Sequence, residues 1–164
     1  KVTDMSSMFR ACSKLIKIKG NIVFNNTNAY YMFYDCNSGP DLSELNMSGV
    51  LTDVSYMFQG FGFHSCVATS LDLSGIALTT GLNILGYTFY RCAVNDIYPF
   101  TNISGATCDL SFGTLYLATA RRFIENLVAF TDGSTHTIKL NTATKEKLTD
   151  DDILAITNKG WTLA

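Results

Sequence analysis

The residues of this 164-residue chain whose types could carry chemistry are five cysteines, two histidines and one run of three aspartates. Cys12, Cys36 and Cys92 each lie three residues after a phenylalanine, at one shared position. That placement predicts inert thiols buried beside a Met or Phe, the ordinary fate of an unpaired cysteine. Cys66 and Cys108 stand outside the pattern and are the better candidates for a disulfide, although bridge geometry is demanding. His64-Ser65-Cys66 offers two metal ligands, whereas zinc sites need three or four from paired spacings and no second cluster accompanies them. A serine nucleophile needs a base within reach and a third group to orient that base. No Gly-x-Ser-x-Gly elbow occurs, and neither His64 nor His136 has an evident partner; His136 reads as a surface histidine at the head of a strand. Gly60-Phe61-Gly62 lacks the third glycine of a phosphate loop. Asp150-Asp151-Asp152 resembles a calcium cluster, but carboxylates in the first turn of a helix are favoured by the helix dipole alone. No convergent ionisable set emerges, so no catalytic residue, metal or cofactor is expected, and the chain is not expected to be an enzyme.

Binding is the chemistry that the spacing does support. In apolar-x-apolar triplets of period two, the middle residue faces away from the core. This predicts an open row of Lys17, Asn46, Asp72, Tyr116, Lys139 and Thr162, suited to a protein or glycan, or else a merely solvated face. Tyr30, Tyr31, Tyr34 and Tyr56 form a second group, open to a binding or a packing role.

The elements that position these residues follow from an internal repeat, which decides the fold. Met5-Ser6-Ser7-Met8-Phe9-Arg10-Ala11-Cys12 matches Ala29-Tyr30-Tyr31-Met32-Phe33-Tyr34-Asp35-Cys36. Both match the segment from Val54 to Phe61 and, more loosely, that from Leu85 to Cys92. Apolar groups at i, i+3, i+4 and i+7 predict one stripe of a short helix, and Thr3-Asp4, Thr27-Asn28 and Thr52-Asp53 stand where a helix cap belongs. Strand-like triplets follow at Ile16-Lys17-Ile18, Leu45-Asn46-Met47 and Leu71-Asp72-Leu73, each meeting a glycine two residues on (Gly20, Gly49, Gly75). One helix and one strand cannot bury their faces alone, so neighbouring units must stack.

Past residue 113 the triplets Thr114-Leu115-Tyr116-Leu117, Thr137-Ile138-Lys139-Leu140 and Gly160-Trp161-Thr162-Leu163 recur every 23 residues. Ala120, Phe123, Ile124, Leu127 and Val128 trace a helical stripe between the first two. Between the next two, Thr149 with Asp152 predicts a capping box, Leu148 with Ile153 a hydrophobic staple, and Gly160 a left-handed stop. Trp161 should lie buried in the final rung. Asp109-Leu110-Ser111-Phe112 offers a further strand. The expected fold class is an α/β solenoid, an arc with a parallel sheet on one face and short helices on the other. Residues 1–113 would form repeats with irregular loops, and residues 114–164 would end the same solenoid.

Composition agrees with a continuous core, at 47% hydrophobic residues. The net charge of −2 gives no electrostatic case for nucleic acid, and no apolar run is long enough to span a membrane. Lys1, Arg10, Lys14, Lys17 and Lys19 make the start basic. Residues 20–90 hold no Lys or Arg but contain Asp35, Asp41, Glu44, Asp53 and Asp72. That asymmetry suits a polar or basic partner, or is ordinary solvated surface.

The Met-Phe-x-x-Cys units and Ser70-Leu71-Asp72-Leu73-Ser74-Gly75 resemble the leucine-rich repeats of bacterial surface proteins of the BspA type over roughly residues 1–92, with Phe61 standing where one cysteine should be. The resemblance implies an extracellular or cell-surface location and an adhesion or recognition role for a monomeric segment of a longer chain. The family shares no catalytic residue. The expected function is therefore a non-catalytic binding module, the alternative being a structural spacer or display stalk in a longer surface protein. In a bacterial chain the glycosylation sequons at Asn25, Asn46 and Asn102 are chance.

Overall fold

A computed structural model describes residues 2–82 and 87–164. The expected fourth unit, starting at Leu85, lies partly outside the described residues. The protein is mixed α/β, and every strand pairing among the described residues is parallel. β1 (Lys17–Asn28), β2 (Asp41–Asp53) and β4 (Ile76–Leu78) form one sheet, and β3 (Leu71–Asp72) pairs with β5 (Ile97–Tyr98). β6 (Thr107–Leu110), β7 (His136–Leu140) and β8 (Trp161–Leu163) form a third sheet. The helices are α1 (Leu117–Asn126), α2 (Thr142–Lys145) and α3 (Asp150–Asn158).

The apolar stripes at residues 5–12, 29–36 and 54–61 are not helices. Each is a pair of consecutive four-residue turns. Met8 and Cys12 donate their N–H to the carbonyls of Met5 and Phe9, both at 3.3 Å, and Met32 and Cys36 repeat this to Ala29 and Phe33 at 3.0 and 3.2 Å. The third residue of each turn is left-handed: Ser7 (φ 59°), Ala11 (56°), Tyr31 (58°), Asp35 (53°), Tyr56 (58°) and Gly60 (71°). A positive φ at that position belongs to a type II turn and ends any helical path. Intervening N–H groups leave the unit altogether. Those of Met5, Ser7, Phe9 and Ala11 donate at 2.7–2.9 Å to Asn28, Tyr30, Met32 and Tyr34, and those of Ala29, Tyr31, Phe33 and Asp35 donate onward to Asp53, Ser55, Met57 and Gln59. The result is a ladder of stacked turns that satisfies the backbone without helical bonding.

Helix and turn pair share the same apolar spacing, because the first and last residues of both turns point inward. Ala29, Met32, Phe33, Cys36, Val54, Met57, Phe58 and Phe61 are all buried, whereas Met8 of the first unit is 57% exposed. Phe9, Phe33, Phe58 and Phe89 stack face to face, with ring centroids 5.2, 5.2 and 5.9 Å apart. The expected cap residues do cap, but they cap turns: Asp4, Asn28 and Asp53 accept the N–H of the residue two positions on, at 2.8–2.9 Å.

β1 and β2 run well past the expected triplets, through Gly20 and Gly49. A Cβ on Gly49 would stand 2.0 Å from the Phe24 carbonyl oxygen, so the close approach of the two strands requires glycine there. Alternation holds at Leu45/Met47 and Leu71/Leu73, all buried, but fails at Ile16, which is 68% exposed.

In the C-terminal third the strand expected at residues 114–117 is absent. Tyr116 is instead the N-cap of α1, and the rung beside β7 is β6, with Asp109 opposite Lys139. The 23-residue register is also off by two. His136 pairs with Trp161 and Ile138 with Leu163, a step of 25. A slip of two preserves which face each residue occupies, so Trp161 is buried as expected, and its Nε1 donates to the Val128 carbonyl at 2.8 Å. α1 buries Ala120, Phe123 and Ile124. At its C-terminal end the Lys159 ammonium donates to the carbonyls of Ile124 at 2.9 Å, Glu125 at 2.6 Å and the C-cap Leu127 at 2.8 Å. α3 carries the expected Thr149–Asp152 capping box, and Gly160 follows it at φ +78°. Of the expected staple pair, Leu148 packs against the core and Ile153 is 40% exposed.

Candidate functional site

The expected open row of side chains is divided by the register. Lys17 lies opposite Asp41, five residues before Asn46 along β2. Its ammonium pairs with Asp41 at 3.0 Å and with Glu44, which also binds Lys19 at 2.8 Å. The basic start of the chain thus meets part of its acidic middle. Lys17 and Lys19 hold the Glu44 carboxyl below the usual range, and the Ser43 backbone N–H, aided by the Ser43 hydroxyl and Lys17, brings Asp41 down to about 2. Tyr116, exposed at the start of α1, and Thr162, beside Thr137 on β8, stand apart from both.

Asn46 and Asp72 do come together. They line an open groove of about 410 Å³ between β2 and β3, with Ser43, Glu44, Ser70 and Ser74 around them. Lys139 belongs to a second cleft, of about 500 Å³, shared with Asp109, Ser111, Phe112, Tyr87 and Tyr90. Both clefts contain one carboxylate held by the same local device. Asp72 Oδ1 accepts the Ser74 N–H at 3.0 Å and its hydroxyl at 2.6 Å, and Asp109 does the same to Ser111 at 3.0 and 2.6 Å. Such Asx turns fix a side chain by its own backbone. The Asp-x-Ser pattern at Asp4, Asp41, Asp53, Asp72, Asp109 and Asp132 was the available sequence signal for them.

The tyrosines form a ladder along the turn units. Tyr30 and Tyr31 lie 4.1 Å apart, Tyr31 and Tyr56 4.9 Å, Tyr56 and Tyr87 5.1 Å, and Tyr87 and Tyr90 6.2 Å. Arg10 covers Tyr31 and Tyr34 at one end, and Arg91 covers Tyr90 at the other. The inner rings are half-buried against one another, so packing occupies them. Tyr87 and Tyr90 are 53% and 40% exposed where the ladder reaches the second cleft.

His136 is not a surface residue. Its ring is buried, stacked 3.6 Å from Phe130 and 5.1 Å from Trp161. Nor is it without a partner, since Nδ1 lies 3.0 Å from the Gly105 carbonyl and Nε2 lies 2.7 Å from the Ser134 hydroxyl. A serine beside an imidazole is the pairing a nucleophile needs. Here, however, Asp132 accepts from the same hydroxyl and competes for its proton. All five thiols are free, Cys66 exposed and Cys108 buried, so the expected candidates for a bridge are not joined. Burial pushes the Cys36 thiol up to about 11 and that of Cys92 to about 12, the direction of an inert group. Among the described residues no group of three or more His, Cys, Asp or Glu could hold a metal, and Asp152 of the aspartate run is engaged by Thr149 and Arg121.

No family model, curated protein or solved structure matches this chain. Among the described residues no helix is long and apolar enough to cross a membrane.

Proposed function

We propose that this protein is a non-catalytic binding module, a leucine-rich-repeat-like solenoid of the BspA kind that acts at a cell surface and presents its strand face to a protein or glycan. The observation that carries the reading is the groove at Asn46 and Asp72. Two outward positions from successive strands converge in one open, hydroxyl-rich depression, while the residues flanking them, Leu45, Met47, Leu71 and Leu73, are buried in the core. A site on packed strands is held in place by the core beneath it and needs no rearrangement to bind. Parallel pairing throughout and the unit-to-unit ladder of turns support the solenoid. The stacked units make a repeated surface rather than an enclosed cavity, which suits a macromolecule.

The test is a binding screen of the whole chain against immobilised extracellular proteins and glycans, with Asn46→Arg and Asp72→Arg as groove variants. The expected result is retention of at least one ligand, weakened tenfold or more by either substitution at unchanged thermal stability. No retained ligand, or binding indifferent to both substitutions, would refute the groove as the binding face.

A further inference from the structure

We infer that the second cleft, between the end of the tyrosine ladder and the β6–β7 strands, binds a hexopyranosyl unit of a neutral glycan. The inference deepens the binding reading above by naming a ligand class and a second place of contact, and it rests on that reading.

Three observations converge on it. The first is the walls. Tyr87, Tyr90 and Phe112 border the cleft, and the two tyrosines are the most exposed rings of the ladder. Within the ladder each ring is covered by the next, from Tyr31 to Tyr56 to Tyr87. Arg91 covers Tyr90, but Tyr87 stays 53% exposed beyond its contact with Tyr56, and a ring-shaped apolar face can continue the ladder there. Exposed aromatic surface of this kind marks interaction sites, and Tyr supplies it at little entropic cost while keeping a polar tip.

The second observation is the polar floor. Asp109 and Lys139 are register neighbours on adjacent parallel strands and line the same cleft, yet among the described residues they form no ion pair with each other. The Asp109 carboxylate is held through Oδ1 by Ser111, and Lys139 is exposed on its strand. The floor therefore offers an acceptor-only group, a donor-only group and a hydroxyl side by side.

The third is charge. Among the lining residues one carboxylate and one ammonium cancel, and the Arg91 guanidinium is taken up over the Tyr90 ring, so a phosphate or sulfate ligand meets Asp109 and an amine meets Lys139, each at a cost. A ligand that is neutral, has a flat face of C–H groups and carries hydroxyls able both to donate and to accept satisfies walls and floor together. A pyranose ring is that ligand. The volume of about 500 Å³ falls within the range of roughly 300–1,000 Å³ typical of small-ligand sites and accommodates a ring with part of its neighbour. An amide side chain such as that of Gln pairs with Asp109 and Lys139 but brings no ring-shaped C–H face to the tyrosine walls, whereas a pyranose supplies both.

The experiment is isothermal titration of the whole chain with four neutral oligosaccharides: gluco-, manno-, galacto- and N-acetylchito-hexaose. Binding of at least one is expected, weakened tenfold or more in Tyr90→Ala and in Lys139→Ala, and unchanged in Glu146→Ala, an exposed residue that does not line the cleft. Lys139 is exposed on its strand, so its variant keeps the fold, as an unchanged unfolding midpoint verifies, and remains informative if Tyr90→Ala does not. No binding of any of the four, or binding indifferent to Lys139→Ala, overturns the inference. Retention of a protein ligand with no oligosaccharide bound overturns the glycan while leaving the broader binding reading intact.

Discussion

At the residue scale, one carboxylate in each cleft is held by its own backbone. Asp72 and Asp109 are each fixed by a serine two residues away, so a carboxylate is presented in each cleft without help from distant elements. Asp152 adds a distant partner to its local cap, with a measurable consequence. Its carboxylate accepts from Arg121 at 2.8 and 3.0 Å and from the Thr149 N–H at 2.9 Å. Arg121 foremost, opposed by partial burial and aided by Thr149, lowers its pKa from the usual 3.8 to about 2. A carboxyl whose pKa is depressed by folding contributes stability that is complete above the unfolded value and is lost as pH falls through the folded one. Asp152→Asn should therefore be less stable than wild type by about 1 kcal/mol near neutrality, and the two should converge between pH 4 and 2. Thermal midpoints of both proteins across that range check it, and a gap independent of pH would assign the loss to packing. The capping box was legible in the sequence because it is local, three residues from end to end. The burial of His136 was not, because Phe130, Trp161 and Gly105 reach it only through the fold.

At the element scale, the apolar stripe marks the inward residues of the turn units but not their backbone. Two consecutive turns and a two-turn helix place the same four residues inward, so periodicity alone does not separate them. Every second N–H in the turn units bonds to a neighbouring unit, which no reading of one segment reveals. The register of the C-terminal sheet escaped for a related reason. Shifting a strand by two leaves the alternation unchanged, so the pattern alone does not choose between the two registers. The turn assignment makes a prediction of opposite sign to the helical one. Ala11 is exposed and left-handed at φ 56°. In a helix, Ala→Gly costs about 1 kcal/mol. At a left-handed position the strain of a Cβ, about 1–2 kcal/mol, outweighs the extra freedom that glycine gains in the unfolded chain, about 0.5–1 kcal/mol. Ala11→Gly should raise stability by about 0.5 kcal/mol and Ala11→Val should lower it by about 1 kcal/mol. Chemical denaturation of both variants measures this, and a loss of order 1 kcal/mol in Ala11→Gly would restore the helix.

At the scale of the whole molecule, the phenylalanine column decides how far a local injury travels. Phe33 and Phe58 are fully buried with a ring on each side, and Phe89 continues the column to Phe112 and, edge-on, to Phe123 of α1. The other end of the molecule is held by a separate cluster of Trp161, Phe130 and His136. If units interact chiefly with their neighbours, as proposed above, two losses of similar size should have different footprints. Phe58→Ala and Trp161→Ala each remove a buried aromatic ring, a change that typically costs about 3–5 kcal/mol. Amide hydrogen exchange should show Phe58→Ala loosening the turn units at residues 29–36 and 54–61 while β7 and β8 stay protected. Trp161→Ala should do the reverse, releasing β8 and His136–Leu140 while the N–H groups of Phe33 and Asp35 stay slow. Those two amides report well because they donate across units, to Met57 and Gln59 at 2.8 Å, and so exchange only when neighbours part. A uniform loss of protection in both variants would describe one cooperative globule, and the chain of neighbouring units would then be the wrong account of its stability.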